Sequence, residues 1–185
     1  NQIGLTSTGF WQAQQVARIL SDLKPQTIYS SPLRRAIQTA QSIAQKESSN
    51  IVSINGLMEL DLGKIQGLTS KEIQTNYPHI YDSWRKDPSS IEMPGGESLE
   101  TLQNRSWESI QTIKDNHSAK IAISVTHNFT IKTIVCRVLN LALSEFHNIR
   151  VDLGSLTTLE TGAKEWKLIS LNETFHLNLD TYGNQ

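Results

Sequence analysis

Apolar residues recur along this chain at two spacings, one typical of helices and one typical of short strands. Helical spacing, with an apolar residue at every third or fourth position, extends over 6–20, 33–44, 98–113 and 129–139. Short, mostly apolar runs lie at 27–29, 51–54 and 121–125. The last of these runs is continuous, which is typical of a strand buried on both faces. Strands that alternate with helices in this way predict an α/β fold with a mainly parallel sheet.

Polar residues and prolines mark where several of these elements begin and end. Thr6 precedes the first helical segment and Ser98 precedes the third, and both residue types cap helix N-termini. Pro25 predicts that the first helix ends close to it. The final alternating stretch, 155–171, predicts a β-hairpin.

Composition limits the kind of protein that this chain can be. It has 185 residues, of which 37% are hydrophobic and 19% charged, which is enough to bury the core of one domain. The formal net charge of −1 provides no field that would draw the chain to nucleic acid or to a membrane surface. Cys136 is the single cysteine, and its apolar helical surroundings predict a core residue rather than a nucleophile. No signal peptide is visible, and we expect a cytoplasmic protein.

Three residues of catalytic type lie in or after the predicted strands. In parallel sheets, ligands bind beyond the carboxyl ends of the strands. Arg35 lies just after the first strand, and His127 ends the last one. A guanidinium at the start of a helix, where anions are favoured, indicates a phosphate site. Glu59 lies among apolar residues in a loop that contains glycine, where a carboxyl group can retain a proton for donation.

Each of these residues also has a structural interpretation when it is taken alone. Arg35 and its neighbour Arg34 could be solvated on a helix surface, and Glu59 could be a surface acid. His127 could be a structural residue at a strand end. The sequence around all three residues is what favours a functional interpretation.

Together with their surroundings, these residues resemble the histidine phosphatase superfamily, which includes phosphoglycerate mutases and many small phosphatases. The matching segments follow the family's order: Leu5–Gly9, Ser30–Ala40, Leu57–Gly67, Pro94–Ser98 with Arg105, Val125–His127 and Leu171–Leu177. In the second segment, Arg35 matches the phosphate-binding position and Arg34 matches a variable one. The resemblance implies a three-layer α/β/α sandwich with a mainly parallel central sheet, of the phosphoglycerate mutase-like type.

The resemblance also implies a two-step phosphoryl transfer from a small phosphorylated substrate. A histidine would attack phosphorus to form a phosphohistidine, while Arg35 and His127 bind the phosphate oxygens. Glu59 would protonate the leaving oxygen and then assist the water that hydrolyses the intermediate. Asn128, where many relatives have glycine, is expected to contribute to substrate binding. This chemistry requires no metal and no other cofactor.

The family's most distinctive motif is missing from this sequence. The nucleophilic histidine of the family belongs to an Arg-His-Gly motif on the first strand, and the chain contains no Arg-His dipeptide. We therefore expect that the chain is N-terminally incomplete, with its first strand and nucleophile upstream of Asn1, and that these residues alone are inactive. They would form a single histidine phosphatase-like domain, 1–185, with a small insert at about 68–94.

Two further functions are open on the sequence alone. A phosphoglycerate mutase must keep water from its phosphorylated intermediate, which requires a large cap and a covering tail. Because the insert is short and eight residues follow Leu177, we expect a phosphatase acting on a phosphomonoester instead. A non-catalytic phosphate-binding module would also lack a nucleophile. We expect no nucleic-acid or membrane partner, and the formation of a homodimer is left open.

Overall fold

The computed structural model describes residues 3–47, 49–117, 121–162 and 165–178. A sheet of three parallel strands lies at its centre, in the order β2 (Asn50–Ser53), β1 (Thr27–Ser30) and β3 (Ile123–Val125). Because β1 pairs on both sides, its residue Ile28 lies opposite residues of both neighbouring strands. The predicted parallel sheet is confirmed.

Helices connect the strands, and a hairpin completes the described part of the chain. The helices are α1 (Ser7–Leu20), α2 (Arg34–Glu47), α3 (Ser70–Asn76), α4 (Pro78–Lys86), α5 (Leu99–Asn116) and α6 (Asn128–Val138). The side chains of Thr6 and Ser98 accept the N–H groups of Gly9 and Thr101, each at 3.1 Å, and so cap α1 and α5 as predicted. Strands β4 (Leu156–Thr161) and β5 (Trp166–Glu173) form the predicted antiparallel hairpin.

Helices flank the central sheet on both faces. Neighbouring side chains of a strand point to opposite faces, so Ile28 and Tyr29 show what covers each side. Ile28 is fully buried in a cluster with Val16 of α1 and Ile43 of α2. The hydroxyl group of Tyr29 instead lies 3.2 Å from Nδ1 of His117, at the end of α5. This alternation produces the α/β/α arrangement.

One predicted boundary is wrong. The apolar run at 121–125 forms a strand only over β3, and Ile121 is 52% exposed. Within the described residues β3 pairs with β1 alone, and Ile123 is its one buried position. The end of the first helical segment agrees with the prediction. Helix α1 ends at Leu20, and a 3-10 turn over Ser21–Leu23 continues it to Lys24, where φ is 45° and the helical conformation stops next to Pro25.

Residues 68–94 contain α3, α4 and a 3-10 turn, and they pack against a second apolar cluster. This cluster is centred on Leu99 and Leu102 of α5 and on Phe146, all of them buried. Trp84 of α4 contacts the rings of Phe129 and Phe146, with centroid distances of 5.6 and 5.7 Å. The segment is thereby attached to the main body of the protein through aromatic contacts.

Two loops lie in backbone contact where this segment begins and ends. The N–H group of Glu97 donates to the carbonyl oxygen of Asp61 at 3.0 Å. A Cβ atom on Gly96 would clash with the same carbonyl oxygen, and a Cβ atom on Gly63 would clash with the carbonyl oxygen of Pro94. Glycine is required at both positions because no side chain fits between the loops.

Gly96→Ala is expected to lower the free energy of unfolding by about 1–3 kcal/mol, because the new methyl group must push the two loops apart. Gly162→Ala is the matched control, since no heavy atom lies within 4 Å of a Cβ atom there. Urea unfolding of both variants measures the difference. A Gly96→Ala protein as stable as the control would contradict the close approach of the loops.

Candidate active site

Arg35 lies in the first turn of α2, just after β1 ends. Its side chain is partly buried, whereas that of Arg34 is exposed. Among the described residues, no side chain or carbonyl group forms a hydrogen bond or ion pair with the Arg35 guanidinium. Its positive charge nevertheless reaches Glu59 and His127, and favours the deprotonated form of each. Arg35 is therefore a cation close to both other candidate residues and available to an anion.

His127 lies between β3 and α6 and is almost completely buried. Its Nε2 atom lies 2.8 Å from the hydroxyl oxygen of Ser31, the residue that follows β1. The backbone N–H group of Ser31 donates to the carbonyl oxygen of Val125 at 2.9 Å, so the two strand ends are joined at this point. Burial, and then the charges of Arg35 and Arg105, lower the pKa of His127 to about 3. The imidazole is therefore neutral at pH 7.

The carboxylate of Glu59 accepts hydrogen bonds from two backbone groups. Oε1 accepts the N–H group of Leu60 at 2.9 Å, and Oε2 accepts that of Phe129, in the first turn of α6, at 3.3 Å. Burial raises the pKa of Glu59, and this effect outweighs the opposing contributions of these N–H groups and of Arg35. The environment thus favours the protonated acid more than water does.

Asn128 is the first residue of α6 and follows His127 directly. Its amide nitrogen donates to the carbonyl oxygen of Val151. Its Oδ1 atom is buried, and no partner for it lies among the described residues. The predicted role of Asn128 in substrate binding stays a prediction, but the buried acceptor shows that its hydrogen-bonding capacity is not used up.

Three polar side chains form hydrogen bonds that hold the segment carrying Glu59 in place. The sequence did not predict this role for them. The hydroxyl groups of Thr126 and Thr130 donate to the carbonyl oxygens of Leu57 and Met58, at 2.7 and 2.9 Å. The third side chain, Arg105, donates to the carbonyl oxygen of Glu59 at 3.0 Å. Arg105 belongs to one of the segments that resemble the family, but nothing in its spacing indicates which backbone groups it contacts.

The structure brings Arg35, Glu59 and His127 together from three separate elements. The charge of Arg35 acts on both Glu59 and His127. In addition, the hydrogen bond from the N–H group of Phe129 to the Glu59 carboxylate joins α6 to the loop that carries Glu59. All of them lie beyond the carboxyl ends of parallel strands, where such folds bind their ligands. The group therefore combines a cation, a neutral imidazole and a carboxyl group whose pKa burial raises.

The sequence matches one protein family over nearly its full length. The model of the histidine phosphatase superfamily (branch 1) matches residues 1–174. The chain is 29% identical to phosphoserine phosphatase 1 of Hydrogenobacter thermophilus, over 94% of this chain and 82% of that protein. It is 28% identical to the metal-independent phosphoserine phosphatase of Arabidopsis thaliana, over 94% of this chain and 73% of that protein. The chain belongs to the histidine phosphatase superfamily.

A solved structure supports the same assignment. The chain superposes with a TM-score of 0.83 on a mycobacterial glucosyl-3-phosphoglycerate phosphatase determined with inorganic phosphate. The two are 26% identical, and the match covers 95% of this chain and 90% of the other. The predicted phosphoglycerate mutase-like fold is confirmed, and these relatives indicate a phosphatase.

The part of the chain that the structure describes contains neither a metal-binding cluster nor a membrane-spanning helix. Within that part of the chain, no three side chains of His, Cys, Asp or Glu lie close enough together to hold a metal ion. None of the helices described above is both long and apolar enough to cross a lipid bilayer.

The low pKa of His127 predicts how stability depends on pH. The usual pKa of histidine is 6.5 and the folded value is about 3, so between these values only the unfolded chain gains the proton. Stability contributed by the neutral ring is present above pH 6.5 and is lost as pH falls toward 3. Between pH 7.5 and 5.5 this residue should account for a loss of about 1.4 kcal/mol.

Urea unfolding at both pH values measures this loss. His127→Gln should remove it, whereas the exposed His79→Gln should retain it. Equal pH dependence in wild type and His127→Gln would show that the ring is not held neutral by the fold.

Proposed function

We propose that this protein is a phosphatase that hydrolyses a small phosphomonoester through a phosphohistidine intermediate. The observation that carries the proposal is the guanidinium of Arg35, which has no partner among the described residues and lies within electrostatic reach of a neutral histidine and a partly buried carboxyl group. A phosphate group matches the fork of an arginine, and the free N–H groups at the start of α2 favour the same anion. The names of the relatives support a phosphorylated metabolite as the substrate class.

Arg35, His127 and Glu59 take different parts in the proposed reaction. Arg35 and an N–H group of His127 bind the non-bridging oxygens and stabilise the charge of the transition state. As the bond between phosphorus and the leaving oxygen breaks, Glu59 gives its proton to that oxygen. The carboxylate then takes a proton from the water that attacks the phosphohistidine, which restores the acid and releases phosphate. No step requires a metal ion.

In the proposed reaction, the nucleophile is a histidine that is not among these 185 residues and that belongs to the Arg-His-Gly motif that the family uses. The remaining histidines of the chain do not support an alternative. His117 contacts Tyr29, His147 contacts the carbonyl oxygen of Trp84, and His176 contacts that of Gly154. His79, the one histidine not yet mentioned, is exposed on α4.

Arg35→Ala is expected to weaken the binding of inorganic phosphate by about 10- to 100-fold, because it removes charge-assisted hydrogen bonds to the anion. Arg34→Ala is the matched control, since that side chain is the exposed neighbour in the same helical turn. Calorimetric titration with phosphate in EDTA measures both. If Arg35→Ala binds phosphate as tightly as Arg34→Ala does, the proposed phosphate site is wrong.

The location of the nucleophile is tested by turnover. The 185 residues alone are expected not to hydrolyse p-nitrophenyl phosphate, and a longer chain that carries the Arg-His-Gly motif is expected to hydrolyse it in EDTA. Turnover by the 185 residues themselves would mean that one of their own histidines attacks phosphorus.

A further inference from the structure

Arg105 uses its whole guanidinium group to connect α5 to the segment that carries Glu59. A guanidinium has five N–H donors in a fixed plane. Nε and Nη2 donate to the two carboxylate oxygens of Glu97, at 2.9 and 2.5 Å. Nη1 donates to the carbonyl oxygens of Gly56 and Met58, at 2.9 and 2.8 Å, and Nη2 also donates to that of Glu59, at 3.0 Å. All five donors are thereby satisfied.

Glu97 extends this contact to the other side of Glu59. Its Oε1 atom accepts the N–H group of Asp61 at 2.9 Å, and its own N–H group donates to the Asp61 carbonyl oxygen at 3.0 Å. The ion pair therefore fixes the backbone both before and after the candidate acid. Its side chains are 25% and 12% exposed, so it is shielded from solvent more than an ordinary surface pair.

These contacts determine where the Glu59 carboxyl group can lie. The segment 55–61 contains only one short regular element, the 3-10 turn Asn55–Leu57, so few regular backbone hydrogen bonds hold it. Arg105 binds the backbone of Glu59, while the N–H groups of Leu60 and Phe129 bind its carboxylate. With both ends held, the side chain is directed toward the start of α6, where His127 also lies.

We propose that the Arg105–Glu97 pair is the positioning device for Glu59, which holds the carboxyl group at the distance and angle needed to protonate the leaving oxygen. The inference rests on the proposed function, in which Glu59 is the proton donor. Arg105 does not contact the substrate. Its effect on catalysis passes through the backbone of Glu59, and general acid catalysis is sensitive to such placement.

Substrates with different leaving groups separate this role from a general effect on folding. The p-nitrophenolate ion is weakly basic and leaves without a proton, whereas the alkoxide of an alkyl phosphate such as phosphoserine requires one. Arg105→Lys keeps the charge but cannot reproduce the planar fork. In the longer, active chain, it is expected to lower kcat/KM for the alkyl phosphate by about 10-fold or more, and to change that for p-nitrophenyl phosphate by less than about 3-fold.

Arg137→Lys provides the matched control. Arg137 lies in the last turn of α6, donates to Asn104 at 3.2 Å and stacks on Trp107. It is an arginine with partners of its own, but it is exposed and none of these partners belongs to the segment that carries Glu59. It should leave the ratio of the two substrates unchanged. Equal fold-losses on both substrates in Arg105→Lys would show a merely structural role and overturn the proposal, and so would the absence of a loss on either substrate.

A second measurement does not require turnover. The carboxyl carbon shift of Glu59, followed by NMR against pH in the 185-residue chain, reports its pKa directly. Arg105→Lys should let water reach the loosened segment and move that pKa down toward its usual value, because burial is what raises it. An unchanged pKa would overturn the positioning role, whatever the outcome of the phosphate-binding test of the proposed function.

Glu97→Gln serves as a second variant that keeps the volume of the side chain and one acceptor oxygen. It should shift the substrate ratio and the Glu59 pKa in the same direction as Arg105→Lys, by a smaller amount. If Arg105→Lys does not fold, Glu97→Gln decides, and its failure to move either quantity would contradict the proposal.

Discussion

The pairing of β1 with both of its neighbours is the constraint on which the rest of the structure depends. This pairing continues just beyond the strand itself: the N–H group of Ile54 donates to the carbonyl oxygen of Ser30, and that of Ser31 donates to the carbonyl oxygen of Val125, both at 2.9 Å. The carboxyl ends of all three strands therefore lie at the same edge of the sheet. The segments that carry the catalytic candidates begin at this edge, and their convergence follows from the backbone alone.

The titratable groups at this edge differ in charge. Arg35 brings a positive charge to a site where the imidazole is neutral and burial raises the pKa of the neighbouring carboxyl group. Under the proposed function, an incoming phosphate dianion would bring the negative charge that Arg35 attracts. By linkage, it would also raise the affinity of His127 for a proton, so binding of the anion and uptake of a proton favour each other.

The sequence predicted the parts of this structure that depend on local pattern. Helical spacing located α1, α2, α5 and α6, and strand ends indicated Arg35 and His127. The extent of β3 was overestimated because the apolar character of Ile121 does not show whether another strand covers it.

The contacts that hold the segment around Glu59 could not be predicted from the sequence, for a different reason. Arg105 contacts carbonyl groups that lie 46 to 49 positions earlier in the chain, and backbone acceptors carry no side-chain signature. Ser31 is a similar case, since its partner His127 lies 96 positions away. Such contacts between a side chain and a distant backbone or hydroxyl group become visible only when the fold is known.

The close approach of Gly63 and Gly96 has a consequence for how this protein can diversify. The two glycines close the base of the segment that holds α3 and α4, so the chain enters and leaves that segment at nearly the same point. Replacement or lengthening of the helices between them need not displace the loop that carries Glu59. The arrangement of the candidate site can thus be combined with different segments between these two glycines.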